Sequence, residues 1–259
     1  MESVILNSKE CRSFTSYHVH STRSDGSDSM HSLAEAAPWH KVVEIGFSDH
    51  LVLAPPATGP VSWSIKPETL PEYVEEVLGV REDCPIPVRL GLEVDYFPGQ
   101  ADIVKGLLGP YPFDYLIGSV HFVDGFAVDE SAEDWEKLTE KEVNEVSREY
   151  WRRIAAMART GIFHLAGHLD LPKKFSFRPS QDLRQEIGAA LDAIAGAGMT
   201  IELNTSGWGK PCRECYPSEP ILAQAINRNI PIVVTADAHR KADLTQYYDR
   251  AFELLGRLH

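Results

Sequence analysis

Seven short apolar runs, rich in β-branched residues, recur along the 259-residue chain, each followed by a polar loop and then by helical spacing. The runs are 14–20, 42–48, 88–96, 115–122, 162–167, 200–204 and 230–235. Their length and bounding polar residues predict buried strands. The segments 28–39, 67–81, 139–160, 180–197, 218–228 and 241–258 predict helices. Local signals support them. Ser27 or Asp28 is a plausible N-cap, Pro67 opens a helix, and Thr139-Glu140-Lys141-Glu142 has capping-box spacing. Gly161 and Gly198 are placed as terminators.

Strands alternating with helices imply parallel strands joined by right-handed crossovers. Seven such units predict an α/β chain folded as a distorted TIM-like (β/α)7 barrel, one domain over 1–259. The usual barrel has eight strands, so seven imply distorted or incomplete closure; an open doubly wound sheet is the alternative. Two long loops, 53–71 (rich in Pro and Gly) and the acidic 122–138, follow strand ends, where such a barrel keeps its site.

Composition narrows the function classes. With 43% hydrophobic and 24% charged residues the chain is ordinarily globular. A net charge of −13 argues against a nucleic-acid partner gripped by a broad basic surface. It leaves room for a small phosphorylated substrate, because bound metal ions can invert the local field. Met1-Glu2-Ser3-Val4 has no basic segment leading into an apolar run, and no apolar window reaches membrane-spanning length. A cytoplasmic protein without membrane contact is expected, its cysteines (Cys11, Cys84, Cys212 and Cys215) reduced. Cys212 and Cys215 form CxxC without a second ligand pair, which predicts two loop thiols; a redox pair is the alternative. Nothing in the sequence indicates an oligomer.

The polar residues at the strand ends carry the chemistry. His18 and His20 are two apart, so a strand would point both to one face, and Asp25 follows in the loop. The other ends bring Asp49 and His50; Glu93 and Asp95; His121; His168 and Asp170; Glu202 and Asn204; and Asp237 and His239, which repeat the first spacing. Six of the ten histidines lie at these ends; His31, His40, His164 and His259 are expected to be structural. His18, His20, Asp25, His50, Glu93, His121, His168, Asp237 and His239 are too many ligands for one tetrahedral zinc. They suit a multinuclear site of borderline or hard divalent ions, with Glu93 as the central bridge, and hence metal-assisted hydrolysis.

The motifs HxHSxxSDG (18–26), FSDH (47–50), GLEVDY (91–96), GSVHFVDG (118–125), GHLDL (167–171), ELNTSG (202–207) and DAHR (237–240) resemble the PHP superfamily. Within it, they look like the histidinol-phosphate phosphatase family. The resemblance implies a distorted (β/α)7 barrel holding three divalent ions, zinc, manganese or iron. The first would take His18, His20, Glu93 and Asp237. The second would share Glu93 and add His121 and His168, and the third would take Asp25, His50 and His239. The implied reaction is hydrolysis of L-histidinol phosphate to L-histidinol and phosphate in histidine biosynthesis, by attack of a hydroxide bridging two ions. Glu93, Asp237 and His239 are the expected catalytic groups, the last two managing protons. The alternative is a PHP phosphoesterase or exonuclease acting on another phosphorylated substrate. Lys174, Arg178, Lys210 and Arg240 are candidates for phosphate contacts. Glu202 and Asn204 are candidates for fixing inner loops or binding substrate. Asp95, Asp124 and Asp129 are candidates for the substrate's cationic end.

Overall fold

The computed structural model describes residues 13–55, 58–59 and 61–258. Cys11, His259 and the N-terminal stretch read for a leader lie outside them. The strands are β1 (Phe14–Ser16), β2 (Val42–Phe47), β3 (His50–Leu51), β4 (Val88–Leu90), β5 (Glu93–Asp95), β6 (Ile117–Ser119), β7 (Phe122–Val123), β8 (Phe126–Ala127), β9 (Leu165–Ala166), β10 (Thr200–Asn204) and β11 (Ile232–Thr235). The helices are α1 (Met30–Ala36), α2 (Leu70–Asp83), α3 (Ala101–Leu108), α4 (Ala132–Glu136), α5 (Glu140–Arg159), α6 (Arg184–Gly196), α7 (Glu219–Ile226) and α8 (Tyr248–Leu258).

Among the described residues the ladders between these strands are parallel except the β7–β8 hairpin, in the orders β1-β2-β4 and β11-β10-β9-β6-β5-β3. The two sheets are one wall. β3 continues β2 and β5 continues β4, and the ladder runs through the breaks: Gly91 N–H donates to Phe47 O at 2.9 Å and Glu93 N–H to Asp49 O at 3.1 Å. The run 88–96, expected as one strand, is therefore bent at Gly91. A Cβ there would stand 2.2 Å from the Tyr115 ring, whose hydroxyl donates to Tyr17 O at 2.6 Å. A parallel bridge between Val19 and Ala238 closes the ring into a seven-stranded barrel: His20 N–H donates to Ala238 O, and Ala238 N–H to His18 O, both at 2.9 Å.

Six helices were expected and α3 is the seventh of the βα series. It occupies part of a stretch left unassigned. The expected helix 28–39 is shorter: Ser29 caps α1, and Asp28 accepts from Lys241 N–H at 2.9 Å instead. Thr139 and Glu142 form the expected capping box on α5. The acidic loop 122–138 is not structureless, because it holds the β7–β8 hairpin and α4. Helices and strands share one apolar core, with Leu33, Val77, Leu90, Val94, Ile154, Leu191, Leu203 and Leu222 fully buried. Among the described residues no helix is long and apolar enough to cross a membrane.

Candidate metal centre

Every one of the nine expected ligands reaches the same end of the barrel. His18 and His20 follow β1, His50 opens β3, Glu93 opens β5, His121 follows β6, His168 follows β9, and Asp237 and His239 follow β11. Both β1 histidines are buried on one side, ring centroids 5.0 Å apart. Asp237 departs from the expected strand spacing: at φ +52° it stands on a turn. A non-glycine residue held there is a strained position of the kind found at functional sites. Asp25 is delivered by a tight turn. A Cβ on Gly26 would lie 2.2 Å from His20 O, so only glycine fits. Buried Asp49 clamps that turn, accepting from Ser21 N–H and Oγ and Ser24 N–H and Oγ at 2.6–3.1 Å.

Glu93, 1% exposed, is the hub. Its oxygens lie 3.1 Å from His18 Nε2, 3.5 Å from His20 Nε2, 2.9 Å from His50 Nδ1, 3.8 Å from His121 Nε2 and 2.8 Å from His168 Nε2. Four overlapping groups have ligand atoms within 4.8 Å of one another: His20-Asp25-His50-His239, His18-His168-Asp237, His18-His20-Glu93 and His50-Glu93-His121. The grouping differs in part from the division implied by resemblance, which placed His168 with His121 and Glu93. His168 reaches both neighbourhoods, since its Nε2 is also 3.1 Å from His121 Nε2.

Two buried carboxylates aim the rings. Glu202 lies 2.6 Å from His18 Nδ1 and accepts from His168 N–H at 2.8 Å. Asp95 lies 2.9 Å from His121 Nδ1 and accepts from His121 N–H at 2.9 Å. In each pair Nδ1 is occupied and Nε2 faces Glu93, an arrangement that would suit metal binding through Nε2.

The donor set fits metal ions. Among the described residues, the buried side-chain atoms without a hydrogen-bond partner are His18 Nε2, both His20 nitrogens, Glu93 Oε2 and His168 Nδ1, plus only Arg81 Nε and Thr235 Oγ1. Leaving such atoms unpaired costs about 1–3 kcal/mol each, so their concentration around one point indicates an absent partner. The field agrees. Burial opposes charge on His18, but Glu202, Asp237 and Glu93 outweigh it and hold the imidazole well above the usual histidine range. Burial likewise opposes charge on His121 and His239, yet Asp95 pushes the first up to about 10 and Asp25 with Asp237 pushes the second up to about 9. Burial and the neighbouring His50 and His239 push His20 down to about 3. Burial opposes charge on Glu93 and Asp237, but the surrounding imidazoles keep both carboxyls well below the ordinary range. Carboxylates that draw protons onto imidazoles would equally draw cations.

The ligands open into a cavity of about 380 Å³, walled by Trp63, Phe122, Asp129, Glu130, Lys174, Ser206, Lys210 and Tyr216. A family model described as the PHP domain matches residues 16–206. The chain belongs to the PHP domain family. Among PHP relatives, a Deinococcus radiodurans protein named "Probable histidinol-phosphatase" is 36% identical over 200 residues, 76% of this chain and 75% of the relative. The histidinol-phosphatase of Bacillus subtilis (strain 168) is 29% identical over 252 residues, 87% and 92% of the two chains. The barrel is shared with histidinol phosphate phosphatase of Lactococcus lactis subsp. lactis Il1403, crystallised with zinc, L-histidinol and phosphate: TM-score 0.77 at 22% identity, over 95% of this chain and 93% of that one.

The basic candidates divide at this PHP site. Lys174 and Lys210 line the cavity; Arg178 and Arg240 do not. Glu214 holds Arg178 at 2.8 Å on a separate surface crevice, and Asp243 holds Arg240 at 2.6 Å. The acidic candidates divide too. Asp95 serves His121, and Asp124, 79% exposed in its side chain, pairs with Arg153. Asp129 lines the cavity but is engaged by Lys174 at 3.0 Å. Glu202 takes the fixing role, and Asn204 accepts from Ser206 N–H at 3.0 Å. Trp63, inside an irregular loop, and Tyr216, behind CxxC, carry no motif that marks them in the sequence. Cys84, Cys212 and Cys215 are free thiols. His164 is structural, its Nδ1 accepting from Leu116 N–H at 3.1 Å.

Proposed function

We infer that this chain is a metal-dependent phosphomonoesterase that hydrolyses L-histidinol phosphate to L-histidinol and phosphate, a step of histidine biosynthesis. One observation carries the hydrolase reading: nine candidate ligands, Glu93 at their centre, gather at one end of the barrel with five of their buried ligand atoms left unpartnered. The substrate comes from the histidinol-phosphatase relatives at 36% and 29% identity. The chain acts as one domain, 1–259, in the cytoplasm.

Three divalent ions of zinc, manganese or iron, held by His18, His20, Asp25, His50, Glu93, His121, His168, Asp237 and His239, would lower the pKa of water and neutralise phosphoryl charge. Asp95 and Glu202 hold His121 and His18 by Nδ1, so that no ring rearrangement accompanies binding. Lys174 and Lys210 supply positive charge from the cavity wall to the phosphate oxygens. Asp129 fixes the Lys174 ammonium by its carbonyl and carboxylate. Asp237 and His239 stand at the open side, where a proton for the leaving alcohol has to be handled; His239 is 38% exposed in its side chain.

The test is phosphate release from L-histidinol phosphate beside a panel of nucleotides and simple phosphomonoesters. Chelation should abolish turnover, and each candidate metal should be assayed for restoring it. Turnover of nucleotides with none of L-histidinol phosphate would overturn the reading.

A further inference from the structure

The proposed substrate has two charged ends. Metals and lysines account for the phosphate, and the ammonium needs a carboxylate. Three aspartates near the site are otherwise engaged: Asp95 by His121, Asp124 by Arg153 and Asp129 by Lys174. Glu130 lines the same cavity, is exposed, and has no ion pair or hydrogen bond to another described residue. The residues around it are nonetheless held. Val128 N–H donates to His121 O at 2.9 Å, and Val128 O accepts from Trp135 Nε1 at 3.0 Å. Asp129 is tied to Lys174 on one side of Glu130. On the other, Ser131 caps α4 through Glu133 N–H at 3.1 Å. The anchored neighbours hold the Glu130 backbone at the cavity wall, and its carboxylate is left free to meet a ligand. In the same cavity, the Trp63 and Phe122 rings stack in parallel, centroids 6.1 Å apart, and give an apolar wall suited to an imidazole.

We propose that Glu130 is the specificity residue of this pocket, pairing with the ammonium of the amino-alcohol phosphate while its phosphate lies at the metal floor. This rests on the phosphatase reading above. Glu130 does no chemistry; it selects phosphomonoesters that carry a cation a few bonds from the ester oxygen.

The test compares the metal-loaded protein with Glu130→Gln and Glu130→Lys, using L-histidinol phosphate and the amine-free p-nitrophenyl phosphate. The ratio of their kcat/KM values should fall roughly tenfold in Glu130→Gln and further in Glu130→Lys, as expected for a lost charge-assisted contact. The loss should lie in KM, and inhibition by L-histidinol should weaken in parallel. If the unsubstituted protein prefers L-histidinol phosphate and Glu130→Gln keeps that ratio, the Glu130 assignment alone is overturned. If the unsubstituted protein hydrolyses p-nitrophenyl phosphate and not L-histidinol phosphate, the functional reading fails, and this assignment with it.

Discussion

Glu93 touches five histidines, so its removal reaches further than that of any other ligand. Glu93→Ala and His121→Ala should each abolish turnover while circular dichroism still reports a folded barrel; near-normal activity in both would reject the site. The metal content of Glu93→Ala, measured by elemental analysis, should fall as well. Asp95→Asn and Glu202→Gln act through the rings they aim, and should cost about 10–100-fold in metal affinity or activity. The raised His18, His121 and His239 imidazoles hold protons at neutral pH that an incoming cation must displace. Metal binding should therefore release protons and strengthen as pH rises. Calorimetry in buffers of different ionisation heat measures this, and heats independent of buffer would refute it. At this scale the clustering of the nine candidate ligands is legible in the sequence, because polar side chains stand out at the ends of apolar runs. Their partners were less so. Asp95, Asp124 and Asp129 look alike in the sequence, and only His121, Arg153 and Lys174, brought near by folding, tell them apart.

The elements follow the expected alternation, and the departures have local causes. α3 has eight residues with Gly106 among them, too short for a strong periodic signal without the core it packs on. The run 115–122 also ends early: Phe122 looks like strand continuation, yet β6 stops at Ser119 and Phe122 begins the hairpin. α5, the longest helix among those described, carries both halves of its capping box, so Thr139→Ala should destabilise the protein by about 1 kcal/mol in denaturant unfolding. Gly118→Ala is the harsher change. A Cβ there would meet Met157 Sδ at 2.6 Å and the Phe163 ring at 2.7 Å, both buried, so a larger loss of stability is expected, about 1–3 kcal/mol.

Across the whole molecule, the barrel is continuous through paired strands everywhere except where β1 meets β11. There a single bridge, Val19 to Ala238, joins the two sides. Its neighbours along the chain are His18, His20, Asp237 and His239, so candidate metal ligands flank the bridge on both sides of the seam. An ion gripped from both sides would act as a clasp at a seam where two strand-type amide bonds pair the backbones and the Ser27 N–H to His239 O and Lys241 N–H to Asp28 contacts support them. Stripping the ions should lower the melting temperature by roughly 10 °C if they are normally present far above their dissociation constants. The His20 and Ala238 amides should lose hydrogen-exchange protection ahead of those in the β10–β11 ladder. In that case the first motion of the emptied barrel is to unbutton along its length, and loading the cofactor completes the fold as well as arming the enzyme.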